Sequence, residues 1–188
     1  MPEPDLGWKK ELEFYAGALL PWKWWKLGKA RVDLTRLRQI RLIWLSLVLS
    51  ALLYLIPLLS IKPLDGDGGS FPQIIIGAGL ASLATGVMVR NQPLKGDSAQ
   101  DVLASFTQRF YIGFAVAELP MLLAFVSVFV QGSGWLYLLG LFFGLIGLAL
   151  TGPLAVNLKR HDRLLRDSGS RYRLTEILTQ PIGPPPSG

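Results

Sequence analysis

Residues Phe114–Val130 read FAVAELPMLLAFVSVFV, with Glu118 as the one charged side chain among apolar neighbours. An α-helix rises about 1.5 Å per residue, so the whole apolar run from Phe110 to Val130 can cross a hydrocarbon core about 30 Å thick. Three more stretches match it: Ile40–Ile61, Gln73–Val89 and Trp135–Val156. Hydrocarbon offers no water to the backbone, so each span should be a helix that satisfies its own N–H and C=O groups. The expected fold is therefore all-α: an integral membrane four-helix bundle made of two transmembrane hairpins, preceded by an N-terminal interfacial amphipathic helix.

Composition agrees. Of 188 residues, 51% are hydrophobic and 17% charged, against about 25% charged in an ordinary soluble domain. Mean hydropathy is +0.39. The chain has no cysteine, which excludes disulfides, zinc–thiolate sites, iron–sulfur clusters and thiol catalysis. The net charge is +6 and the pI is near 9.8. These basic residues flank apolar segments, where anionic lipid headgroups attract them. No nucleic-acid motif accompanies them, so the lipid bilayer is the expected partner and nucleic acid is not.

Lys and Arg also set an expected orientation. Nine run from Lys9 to Arg41 at the head of the first span, one lies between spans one and two, three between spans two and three, none between spans three and four, and six follow the fourth. By the positive-inside rule this alternation places both termini and the middle loop in the cytoplasm. The domains expected are a Trp/Lys/Arg-rich interfacial segment at 1–39, a four-span membrane domain at 40–158 and a basic tail at 159–188. In the first, Trp22, Trp24 and Trp25 sit at headgroup depth. Lys23, Lys26, Lys29, Arg31, Arg36, Arg38 and Arg41 face lipid phosphates. No cleavable signal peptide is expected, because the first long apolar run begins only near Ile40.

In the tail, NLKRHDRLLRDSGSRYRLTEIL reads as a short basic amphipathic helix broken at Ser168-Gly169-Ser170. The end, TQPIGPPPSG, has a disordered composition. The single His161 is expected in solvent, and it lacks the companions a metal ligand needs. No nucleotide-binding, nucleophile-elbow or zinc-protease motif occurs. The acidic stretch DGDGGS at 65–70 lacks the distal Glu of a calcium loop and reads as a turn. No cofactor or metal is expected, and no enzymatic activity.

Glu118 lies eight residues past Phe110, about 12 Å into the membrane at a helical rise. An acid at that depth is rare and faces a bundle interior, water or a partner group. The setting favours its neutral form, which can donate a hydrogen bond. Pro120 lacks an N–H and so frees the carbonyl of Val116. The expectation is that Glu118 is buried between spans two and three, bonding to Ser82, Thr85 or a freed carbonyl. Small residues support close packing there: Gly77, Gly79, Ala81, Ser82 and Thr85 on span two, Gly113 and Ala117 on span three, Gly140 and Gly144 on span four.

Spans two and three resemble the helical hairpin of the proton-translocating ATP synthase c subunit. The likeness rests on GAGLASLATG, on Arg90-Asn91-Gln92-Pro93 and on Glu118, and it covers Gln73–Val130. It implies that Glu118 is an ion-binding carboxylate and that Arg90, Gln92 and Pro93 are loop determinants. It also implies a bacterial inner membrane or an equivalent energy-transducing membrane. Three readings follow. The first is a non-enzymatic accessory, assembly or anchoring subunit, bound to other membrane protein subunits; few polar groups in the spans favour it. The second is a proton- or cation-conducting oligomer using Glu118. The third is a lipid-handling protein in which Arg90, Arg109, Lys159 and Arg160 hold a headgroup.

Overall fold

The computed structural model describes Trp8, residues 35–61 and residues 64–180. Trp22, Lys23, Trp24, Trp25 and Lys26, with the rest of the interfacial helix expected around them, lie outside the described residues, as does the Pro-rich end. Among the described residues seven helices follow one another: α1 Arg36–Leu53, α2 Leu55–Ile61, α3 Phe71–Asn91, α4 Ala99–Gln131, α5 Trp135–Thr151, α6 Ala155–Asp167 and α7 Leu174–Thr179. No strand occurs among the described residues.

The first expected span is two helices. Pro57 cannot donate to the carbonyl of Leu53, and its ring crowds that carbonyl, so the ladder breaks at Tyr54. Tyr54 N–H closes α1 by donating to Ser50 C=O at 3.2 Å. α3 opens with Pro in its first turn, where the missing donor has no intrahelical partner to lose. It stops before Gln92-Pro93, because the residue preceding proline disfavours the α region.

α4 corrects the expected boundaries most. It begins at Ala99, not Phe110, and much of the supposed polar loop is helix. Ser98 and Asp101 form a reciprocal capping box: Asp101 N–H donates to Ser98 Oγ, and Ser98 N–H donates to Asp101 Oδ2, each at 3.2 Å. The helix runs on through Pro120 and ends at Gly132. That glycine takes φ 76°, a left-handed value suited to a residue without Cβ, and its N–H donates to Val128 C=O at 2.8 Å. At 33 residues, α4 is about 50 Å long, well beyond a hydrocarbon core of about 30 Å. The fourth helix is shorter than expected. α5 ends at Thr151, and after Gly152-Pro153-Leu154 the chain turns by 45° into α6.

Among the described residues three helices are long and apolar enough to cross a membrane: Arg36–Leu58 read through its break, Phe71–Asn91 and Ala99–Gln131. The bent pair α5 and α6 passes as a fourth only when taken together. The flanks of the bundle expose Ile76, Leu80, Leu122, Val126 and Phe129, an apolar surface that fits lipid or another helix.

α3, α4 and α5 pack closely on one another, and glycines set their spacing. A Cβ at Gly140 would overlap Ala124 and the Pro120 carbonyl, and one at Gly79 would enter the Phe143 ring. A Cβ at Gly113 would come within 2.7 Å of Thr151, and one at Gly147 within 2.9 Å of Ala117. α1 joins this core along α5. Trp44 Nε1 donates to Leu148 C=O at 3.0 Å, and Tyr137 Oη donates to Ala51 C=O at 2.8 Å. At the far end, Ser133 Oγ donates to Asp65 C=O and Trp135 Nε1 to Gly66 C=O, which ties the 64–70 loop to the α4–α5 turn.

A second core lies at the basic end. Leu37, Leu94, Val102, Phe106, Leu158, Leu165, Leu174, Ile177 and Leu178 form it, joining the overshooting turns of α4 to α6 and α7. α6 ends at Asp167 with Ser168 as its cap, and the chain reverses at Gly169, as the Ser-Gly-Ser break suggests. His161 overturns its expected place in solvent. It is 7% exposed and its ring packs edge-on against Phe106, centroids 5.8 Å apart. The helical spacing explains this: Leu158, His161 and Leu165 share one face of α6.

Candidate functional site at Glu118

The spans bring one carboxyl to a concave surface. Glu118, on α4, opens into a notch of about 160 Å³ bounded by Ser50, Ala51 and Tyr54 of the first span, by Met121, Leu122 and Phe125 of α4, and by Tyr137 of α5. None of the lining residues comes from α3, so the expected burial between spans two and three does not occur. Glu118 is half-buried and bonds to neither Ser82 nor Thr85. Among the described residues its carboxyl makes no hydrogen bond or ion pair.

The first span's break shapes this notch. Tyr54 leaves the helical ladder there and meets Phe125 edge-on, centroids 5.8 Å apart. Phe125 in turn meets Tyr137 at 6.3 Å, giving the notch an aromatic wall. Its hydroxyls are partly committed: Tyr137 Oη to the Ala51 carbonyl, and Ser50 Oγ to the Leu47 carbonyl at 2.8 Å. The volume would hold a few waters, or a side chain entering from the side.

Pro120 does release the Val116 carbonyl, and that carbonyl finds its partner in α3. Ser82 Oγ donates to it at 2.7 Å. Ser82 is therefore the staple, and Glu118 is left over. A buried hydroxyl of α4 is also committed: Ser127 Oγ donates to Leu123 C=O at 2.6 Å. Thr85 Oγ1 returns to Ala81 C=O in its own helix at 2.9 Å.

The small residues divide into two groups. Gly79 and Ser82 are buried, with Gly79 against α5. Gly113 and Ala117 meet Thr151 and Gly147 of α5, and Gly140 and Gly144 meet Pro120 and Met121 of α4. Gly77 and Ala81 are exposed, and nothing lies within 4 Å of a Cβ built at Gly77. Among the described residues nothing packs on these two, contrary to expectation.

The surface-anchoring residues divide as well. Arg36 and Arg38 are half-buried in the first turn of α1, which Thr35 caps through a 3.3 Å bond from Arg38 N–H. Arg41 is 1% exposed, donates to the Pro153 carbonyl at 3.4 Å and lies under the Trp8 ring, 4.5 Å from its centroid. It clamps α1 to the α5–α6 turn and does not face lipid. The loop residues Gln92 and Pro93 offer their carbonyls to the Arg109 guanidinium.

No family model, curated protein or solved structure matches this chain.

Proposed function

We propose that the protein is a non-enzymatic multi-pass membrane subunit, with four spans and both ends on the cytoplasmic side, that takes a partner's transmembrane segment at the Glu118 notch. One observation carries this reading: an intramembrane carboxyl faces a laterally open notch and has no partner among the described residues of its own chain. An unpaired acid in hydrocarbon is costly, and a second subunit supplying a donor, an acceptor or a cation relieves that cost. Interhelical bonds of this kind contribute about 0.6–2 kcal/mol each. The exposed small face at Gly77 and Ala81 offers a further place for close helix approach.

The test is co-purification from native membranes in a mild detergent. Wild-type protein should carry foreign membrane subunits at fixed stoichiometry. Glu118→Leu fills the notch with apolar atoms, so it should fold and lose them. A pure self-oligomer, or a Glu118→Leu protein that keeps its partners, would overturn the reading.

A second reading is proton or cation exchange at Glu118, and the hydroxyls of Tyr54, Tyr137 and Ser50 around the same notch favour it. Against a conduit stand the buried hydroxyls of Ser82 and Ser127, both spent on carbonyls. Proton flux through wild-type proteoliposomes that Glu118→Gln abolishes would support this second reading in place of the first.

A further inference from the structure

Arg90, Arg109 and His161 lie on three different helices and meet at one small cleft at the basic end, with Thr151 beside them. The enclosed void is about 10 Å³, room for one water at most, so a larger ligand would sit at the mouth against the guanidinium edges. No carboxylate lines the cleft. Asp162, next to His161 in the chain, is occupied elsewhere: it accepts from Thr175 N–H at 3.2 Å and from Thr175 Oγ1 at 2.6 Å. Two of the nitrogens at this cleft, Arg90 Nε and His161 Nδ1, are buried without a hydrogen-bond partner among the described residues. Arg109 is pinned by the Gln92 and Pro93 carbonyls, which holds its charge beside the cleft.

The level of this cluster matters as much as its charge. Arg90 directly follows the apolar run 73–89, and Arg109 directly precedes the run 110–130. Met88 and Tyr111, next to these runs' ends, are exposed apolar surface. Two fixed cations thus stand where the lipid-compatible surface stops, which is the depth of headgroup phosphates. A guanidinium presents a planar fork that matches phosphate oxygens.

We propose that this cleft binds a phosphate group, with Arg90 as the principal ligand, Arg109 as a fixed second charge and His161 as a neutral donor. A lipid headgroup and free inorganic phosphate share that chemistry, and the depth of the cluster favours the lipid. The proposal is independent of the Glu118 notch, because none of its residues lines that cavity.

The experiment uses the full chain, purified with a histidine-free tag in a neutral detergent. His161 is the only histidine, so its imidazole NMR signals report on the cleft alone. Micelles doped with phosphatidylglycerol should shift those signals saturably and raise the pH at which His161 titrates. Arg90→Gln should weaken the lipid's apparent affinity roughly tenfold, as loss of a charge-assisted bond does. Arg90→Lys should weaken it less. Arg166→Gln, the same charge change on the exposed face of α6, should leave it unchanged.

Saturation by inorganic phosphate alone, with the same dependence on Arg90, would also support the phosphate site and identify the free ion as its source. Equal affinities in wild type and Arg90→Gln would overturn the proposal, as would an equal loss in Arg166→Gln. Should Arg90→Gln fail to fold, Arg90→Lys decides, because it keeps the charge and removes the fork. Unchanged affinity in that variant, or no His161 response in wild type, would overturn the proposal too.

Discussion

His161 is buried against Phe106, and its titration is pushed down to about 4. Burial is the main cause, followed by the charge of Arg109, with Arg160 and Arg90 adding to it and Asp162 opposing it. In the unfolded chain a histidine titrates near 6.5. Between those values the unfolded state binds a proton that the folded state refuses, so stability is full above about pH 6.5 and falls as the pH drops toward 4. The loss between pH 6.5 and 5 should be roughly 2 kcal/mol. Thermal unfolding in detergent at pH 7.5 and 5 should show this fall in wild type, and His161→Phe should lack it. Ser82 makes a separate prediction at the same scale. Ser82→Ala leaves the Val116 carbonyl without its donor and should cost about 1 kcal/mol. Glu118→Gln, whose side chain has no bond to lose, should leave unfolding nearly unchanged. His161 was readable as buried from its place between Leu158 and Leu165, but the charges on either side of it obscure that spacing. The direction of Glu118 was not readable, because it depends on which helix stands opposite, and the break at Tyr54 decides that.

At the scale of elements, glycines with the same sequence character play opposite parts. Gly140 lies against Ala124 and Pro120, whereas Gly77 faces open space. Gly140→Ala should overpack α4 against α5 and destabilise by about 1–3 kcal/mol. Gly77→Ala should be neutral, or stabilising by up to about 1 kcal/mol through helix propensity, unless a partner helix occupies that face in the native membrane. Urea or thermal unfolding of the two single variants in one detergent checks both. Hydropathy located the apolar runs that became α1 to α5, because twenty apolar residues have few other homes. It misplaces the start of α4, since Ala99–Arg109 is polar on average and its hydropathy reads as loop. The capping pair Ser98/Asp101 and the apolar positions Val102, Phe106 and Phe110 carried the missing signal. The small-residue stripe showed that helices pack closely, but not that α5 is the neighbour of both α3 and α4.

At the scale of the whole molecule, the 50 Å length of α4 separates an apolar bundle from a second core at the basic end. That division supports the proposed topology, with α6 and α7 on the cytoplasmic side and the 64–70 loop outside. The chain has no cysteine, so single cysteines can report sidedness. Asp67→Cys should react with an impermeant thiol reagent in intact cells, and Ser168→Cys should react only after lysis; the reverse pattern would invert the topology.

The same cysteine-free background gives the most direct test of the partner notch. A photo-activatable crosslinker attached at Leu122→Cys, on the rim beside Glu118, should join the protein in native membranes to one foreign membrane polypeptide. Glu118→Leu in the same chain should abolish that adduct. Adducts only to a second copy of this chain, or none beyond lipid, would contradict the proposal that Glu118 waits for another subunit.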